Sequence, residues 1–285
     1  MLHIFGANHA SAKYLQKLYK KDNYLYSRKS RSGFESYANF EDLVRENDLL
    51  VSLAPINFTS KILTKARERI GFLPKLCILI SSTSINSKVN HKSLDYKNYL
   101  HFLEGEERIQ FLSDFNQNTK FIILRTSMLW GYKQDKNINV IYKIIKRFRF
   151  FPLKENANGL RAPLHFDDLA YAIKICLDYK HKRSNTFLLM GNEKISFKKL
   201  VKAIIKNSDI SGKLVFFLVI PDFILKIFLN LSQFLRLHPI INILSMINRQ
   251  SEDLVFFDSK SNFLYQKNVL ETNFEDQLKN IYKYK

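Results

Sequence analysis

Cysteine is almost missing from this chain, with two thiols among 285 residues. Cys77 lies inside the apolar run LCILI and Cys176 inside a helical pattern, so both read as buried core thiols in a reducing compartment. A disulfide framework or a zinc site, each needing several ligands at set spacings, is not expected. Glycine (8) and proline (6) are also scarce, and no low-complexity linker, internal repeat or nucleophile elbow is found. Acidic residues number 26 against 45 basic ones, a net charge of +19. Two readings of that excess stay open: an anionic partner such as nucleic acid or a membrane surface, or lysines spread over solvated faces of a Lys-, Asn- and Ile-rich chain. Long basic runs are lacking, so no specific nucleic-acid partner is expected. The start MLHIF has neither the basic end nor the apolar core of a signal peptide, which gives a cytoplasmic expectation.

Uninterrupted apolar runs of about twenty residues, which a membrane span requires, are lacking too. The most apolar stretch, LVFFLVIPDFILKIFLNLSQFLRLHPIINILSMI, is broken by Pro221, Asp222, Lys226, Arg236 and His238. It reads as two or three helices. A helix lying on a membrane through residues 214–246 stays an open alternative, since Phe and Leu faces flanked by Lys and Arg suit an interface.

What is present is alternation of short apolar strands and helical patterns over a length that suits one α/β core with a smaller lobe. Met1–Phe5 reads as a strand, and GANHASAKYLQKL as a turn and a helix burying Ala10, Tyr14, Leu15 and Leu18. That unit opens a dinucleotide-binding fold, in which glycines let the backbone approach a pyrophosphate at a helix N-terminus. Aligned on GxGxxG, Gly6 keeps its place while Asn8 and Ser11 occupy the other two. Tyr24–Ser27 reads as the second strand, followed by Arg28-Lys29-Ser30-Arg31, where basic side chains suit a 2′-phosphate and therefore NADP, NAD remaining open. Asn39, with Asp42, is expected to cap a short helix over Phe40–Arg45. Strands follow at 48–54 and 76–80, the second running into Ser81-Ser82-Thr83-Ser84, and a helix carries Glu104, Glu106 and Glu107 on an exposed face.

The central stretch runs from Lys120 to Tyr179. KFIILRTSMLWG is an apolar strand ending in a polar turn, and Asn137 opens a helix whose Ile138, Ile141, Ile144 and Ile145 share a face. Asn137 thus sits near a helix N-terminus, where an anion is favoured. Arg161 lies in a polar loop before PLHFDD, a strand running into a helix start capped by an aspartate. An amide and a guanidinium on successive loops suit a diphosphate. Ser196 is expected to cap the helix that follows it.

RTSMLWG, then NI, then FFPL, then GLRAPLHFDDLAYA resemble the second half of an extended short-chain dehydrogenase/reductase, the superfamily of NAD(P)-dependent nucleotide-sugar epimerases, dehydratases and ketoreductases. The resemblance runs from Ile4 to about Tyr265. It implies an α/β, Rossmann-type doubly wound parallel sheet with a smaller, mostly helical C-terminal substrate lobe, divided as 1–135 and 136–285, with about 161–190 returning to the sheet. It implies NADP or NAD as cofactor, a nucleotide-sugar substrate and a role in surface-polysaccharide synthesis; a homodimer stays open. Ala54, Pro55 and Ser81 join Gly6, Asn8, Ser11 and Arg28 as cofactor contacts. Thr83 matches the hydroxyl that orients the reacting sugar oxygen, and Asn137, Arg161 and Arg249 match substrate contacts. The family's tyrosine, with a lysine four residues later to lower its pKa, is not recognisable. Tyr96 is followed at that distance by Leu100 and Tyr99 by Leu103, leaving Tyr96 or Tyr99, with Lys92 or Lys97, as the candidate acids. Two functions follow as expectations: a ketoreductase or epimerase, or a catalytically impaired NADP-binding structural or regulatory protein of the same fold.

Overall fold

Leu2–Phe5 is buried along its whole length and forms β1, with parallel neighbours on both sides, Asn23–Ser27 (β2) and Leu49–Ser52 (β4). Leu2, Ile4 and Phe5 are apolar, and His3 is buried with its ring nitrogens bonded to Tyr26 and Asp48, as suits a strand covered on both faces. The computed structural model describes residues 1–18, 23–27, 33–87, 94–235, 237–265 and 274–282. Between the strands run α1 (Ala10–Leu18), a short β3 (Glu35–Ser36), α2 (Phe40–Leu43), α3 (Ile56–Ile70), β5 (Leu76–Ser82), α4 (Leu94–Phe115) and β6 (Lys120–Thr126).

The second half holds β7 (Leu129–Trp130), α5 (Ile138–Phe148), β8 (Phe150–Lys154), β9 (Leu160–Arg161), β10 (Leu164–His165), α6 (Phe166–Asp178), β11 (Asn185–Leu189), β12 (Ile195–Ser196), α7 (Phe197–Lys206), β13 (Phe216–Ile220), α8 (Asp222–Phe234), α9 (His238–Asn248) and α10 (Phe274–Tyr282). The main sheet has seven strands in the order β11-β6-β5-β4-β1-β2-β3, all parallel. The chain builds outward from β1 through β2 and β3, then crosses back to β4 and builds the other way. The reversal between β1 and β4 is the switch point at which open α/β sheets take ligands.

One apolar cluster packs the sheet against α1 and α6, with Leu15, Leu169 and Ile173 meeting Ile4, Val51 and Ile122. A second covers the opposite face through α3 and α4, with Leu63, Ala66, Ile109 and Leu112 on Leu50, Leu79 and Phe121. A third lies in the C-terminal lobe, where Ile141, Ile145, Leu200 and Ile204 surround Trp130, Phe151 and Phe274. The sheet with helices on both faces is the doubly wound architecture expected.

Local details differ from the sequence reading. Asn39 makes no cap: its amide donates to Glu35 Oε2 at 2.9 Å, and the helix beyond it is a single turn. The cap of α6 is His165, whose Nδ1 accepts the Asp167 N–H at 3.3 Å, while Asp168 accepts the His165 backbone N–H in return. Residues 216–220, read as helix, are the strand β13, because they pair in parallel with β8. Ser196 caps α7 as expected, accepting from the Lys199 N–H.

Candidate active site

Gly6 turns the chain at the end of β1 with φ +74°. A Cβ there would lie 2.9 Å from the Ala54 nitrogen and the Leu53 carbonyl carbon. Only glycine therefore lets the turn after β1 rest against the turn after β4. Around it the backbone is held by its own groups. Gly6 N–H donates to the Tyr37 phenol oxygen at 3.0 Å, Ala7 N–H to the Tyr26 carbonyl and His9 N–H to the Gly6 carbonyl. Asn8 is exposed at the tip, without the left-handed backbone that a glycine there would permit. Ala54 is buried and Pro55 exposed at the N-cap of α3, so the Ala-Pro turn forms a wall beside Gly6.

Ser11 does a different job from the one expected of it. Fully buried, its hydroxyl donates to the Phe166 carbonyl at 2.8 Å and ties the start of α1 to the start of α6. The small side chain permits that approach, and its hydroxyl is already occupied. His9, which the sequence reading passed over, packs edge-on against Phe166 at 4.8 Å, and burial lowers its pKa to about 4. Its Nδ1 accepts the Ser11 N–H at 3.3 Å, so the neutral ring carries its proton on Nε2. Arg28 and Lys92 lie outside the described residues.

At the end of β5 the serine and threonine part company. Ser81 is buried and donates to Glu106 Oε1 at 2.6 Å, so its hydroxyl proton is directed into the protein. Glu106 is itself buried, not on the exposed face of α4, because Arg125 grips it from β6 with Nε at 3.0 and 3.1 Å and Nη2 at 2.6 Å. Arg125 Nη1 also donates to Asn86 Oδ1. Ser82 caps the 3-10 turn Thr83–Asn86. Thr83 is 6% exposed, and its hydroxyl has no hydrogen-bond partner among the described residues. On α4, Tyr96 and Tyr99 are half-buried and stacked on each other with ring centres 5.9 Å apart. Leu100 and Leu103 stand four residues on, and Lys97 is exposed.

The two residues expected to grip a diphosphate are otherwise engaged. Arg161 is 4% exposed; Nη1 donates to the Leu160 and Glu252 carbonyls at 2.9 and 2.6 Å and Nη2 to the Arg249 carbonyl at 2.7 Å. Its guanidinium lies 5.4 Å from the Phe197 ring centre, and burial, then neighbouring Arg249, lowers its pKa to about 10. It is a strap holding residues 249–252 onto β9. The N-terminus of α5 is already occupied by a carboxylate, since Asp135 Oδ1 accepts the Asn137 and Asn139 N–H groups at 2.9 Å each. The Asn137 amide donates to the Leu129 carbonyl. Arg249 is half-buried, with Nε 3.7 Å from Glu252.

A further cluster surrounds the turn after β7, where Gly131, Tyr132 and Lys133 all have positive φ. The Tyr132 phenol donates to Asp167 at 2.6 to 2.7 Å, and His165 Nδ1 lies 3.6 Å from the same carboxylate. Burial, then Asp167, raises the Asp168 pKa to about 7. HFDDL in the sequence signals the helix start, but nothing in it signals the tyrosine that bonds there.

The fold is similar to that of solved NAD(P)-bound epimerase-type proteins. Solved structures of three epimerase-type proteins resemble this chain. Human epimerase family protein SDR39U1 (isoform 2), with NADPH, matches at 13% identity over 98% of both chains with a TM-score of 0.69. UDP-glucuronic acid 4-epimerase from Bacillus cereus, in complex with UDP-4-deoxy-4-fluoro-glucuronic acid and NAD, matches at 13% identity over 98% of this chain and 96% of that one, TM-score 0.66. UDP-N-acetylglucosamine 4-epimerase from Bacillus cereus matches at 16% identity over 76% and 85%, TM-score 0.61. Neither a protein-family model nor a curated protein matches the sequence. At these identities the likeness is one of fold.

Proposed function

We propose that this chain binds NAD(P) at the turns after β1 and β4 and acts as an oxidoreductase or epimerase on a nucleotide sugar, as a ketoreductase or epimerase of surface-polysaccharide synthesis. The observation that carries the reading is Gly6, whose backbone no other residue could adopt so close to Ala54. Cofactor-bound neighbours in fold support it: one carries NADPH, and another NAD with a UDP-sugar analogue. When bound, the nicotinamide supplies or accepts a hydride. The chain's own contribution is to seat the pyrophosphate against Gly6 and Asn8, to wall it with Ala54 and Pro55, and to offer the Thr83 hydroxyl to the reacting oxygen. Arg249, in the lobe spanning 136–285, supplies positive charge toward a substrate phosphate. NADP is favoured over NAD through Arg28.

The test is titration of the purified protein with NADPH and NADH, followed by NADPH oxidation with 4-keto UDP- and dTDP-sugars. Saturable binding with turnover that falls at least about a hundredfold in Thr83→Ala supports the proposal, a loss of the size that removing one transition-state hydrogen-bond donor produces. Failure to bind either dinucleotide overturns it. A second reading, a dinucleotide-binding protein without turnover, is favoured by one observation: Tyr96 and Tyr99 stack on each other with leucines where the lysine would stand. Saturable binding with no turnover on any keto sugar selects that reading.

A further inference from the structure

The C-terminal lobe leaves an apolar surface uncovered. Fourteen of the twenty-four large apolar side chains exposed among the described residues fall between 214 and 246. On α8 they fall on one face: Phe223, Ile227, Phe228, Leu231 and Phe234, the last 83% exposed. Ile243 and Met246 extend the surface along α9, which packs beside α8. Phe216 begins β13, paired with Phe150 of β8, and both are exposed, so the strand edge continues it. A typical monomer's largest apolar patch is about 300–600 Å². A dozen side chains each roughly half uncovered exceed that.

Charge and length decide what covers it. Residues 213–249 contain one acid, Asp222, and its carboxylate is neutralised from within by Lys154 at 3.5 Å. Lys213 and Lys226 are cations of the same stretch, and beside the β8 end of the surface Arg147 stacks over the exposed Phe148 ring at 5.4 Å. A symmetric contact with a second copy would set this basic border against itself. Anionic headgroups complement it. No helix among the described residues is long and apolar enough to cross a bilayer. At about 1.5 Å per residue, α8 and α9 reach roughly 20 and 16 Å, short of the ~30 Å hydrocarbon core. Helices of this kind lie in the plane of the interface, apolar face down and cations at headgroup level.

We propose that β13, α8 and α9 form a monotopic membrane-binding surface that seats this lobe on a bilayer containing anionic phospholipid. The surface works without spanning the membrane and independently of the dinucleotide turn.

The experiment is flotation of the full chain with large unilamellar vesicles of phosphatidylcholine alone and of phosphatidylcholine with phosphatidylglycerol. The chain is expected to float with the anionic vesicles, to bind the neutral ones at least about tenfold more weakly, and to be released by salt. Ile227→Glu with Phe228→Glu, both exposed and so without a folding role, is expected to weaken binding at least about tenfold with the circular dichroism spectrum unchanged. Should that variant lose its structure, Lys226→Glu and the comparison of the two vesicles on the unsubstituted chain carry the test. Three results overturn the proposal: a chain that stays free of anionic vesicles, equal binding to both vesicle types, or a dimer in vesicle-free buffer that Phe228→Glu converts to monomer.

Discussion

At the scale of single residues, Gly6 and Gly33 separate conformation from contact. Both have positive φ, yet a Cβ at Gly33 meets nothing within 4 Å whereas at Gly6 it meets backbone at 2.9 Å. Gly33→Ala is expected to cost about 1 kcal/mol in denaturant unfolding. Gly6→Ala is expected to cost more than about 2 kcal/mol and to abolish NADPH binding, because backbone cannot swing aside as a side chain can. Asp168 and His9 titrate in opposite senses. The Asp168 pKa is raised from 3.8 to about 7, so its contribution is greatest below 3.8 and falls as pH rises toward 7. The His9 pKa is lowered from 6.5 to about 4, so its contribution is full above 6.5 and falls as pH drops toward 4. Between about pH 4 and 6.5 the two slopes oppose each other. Asp168→Asn is therefore expected to leave a protein that loses stability more steeply on acidification. Measured against the unsubstituted chain from pH 4 to 8, it should gain on the order of 3 kcal/mol as pH rises.

Elements are joined here by buried polar straps, and their loss should read as instability. Arg161 binds three carbonyls across β9 and residues 249–252, so Arg161→Ala is expected to cost about 3 kcal/mol in thermal or urea unfolding, with little change in NADPH affinity. A diphosphate contact would show the reverse. The Glu106–Arg125 pair holds α4 to the ends of β5 and β6. Glu106→Ala is expected to cost about 3–5 kcal/mol, since it strands a partly buried guanidinium and the Ser81 hydroxyl, and Glu106→Leu with Arg125→Met should recover most of it. These straps explain why the element boundaries were easier to read than the site. Phe121–Leu124 and Leu76–Ile80 announce strands by composition, and Ser196 announces a cap. Nothing in EGEER marks Glu106 as the inward-facing acid, because its direction is set by an arginine nineteen residues away.

For the whole molecule, binding at the switch point should appear as global stabilisation, since a ligand that binds only the folded state shifts the folding equilibrium. NADPH at a hundredfold over its dissociation constant is expected to add about 2.7 kcal/mol, which for a chain of this size raises the melting temperature by roughly 4–5 °C. No shift on adding NADPH or NADH would argue against a dinucleotide site.

The sequence by itself pointed to the doubly wound sheet, the glycine turn at its centre, leucines in place of a lysine four residues after Tyr96 and Tyr99 on α4, and the buried state of both cysteines. The doubly wound sheet is what the resemblance implied; the others follow from local spacing and composition: one turn only glycine can make, residues four apart on a helix, thiols inside apolar runs. Tertiary structure alone decided that Arg161 faces carbonyls, that Asp135 fills the α5 N-terminus before any phosphate can, that Ser11 and Ser81 are internal ties, and that the apolar face of α8 is left bare. Which partner a polar group takes depends on what the fold brings within about 3 Å of it, and the chain order does not specify that distance.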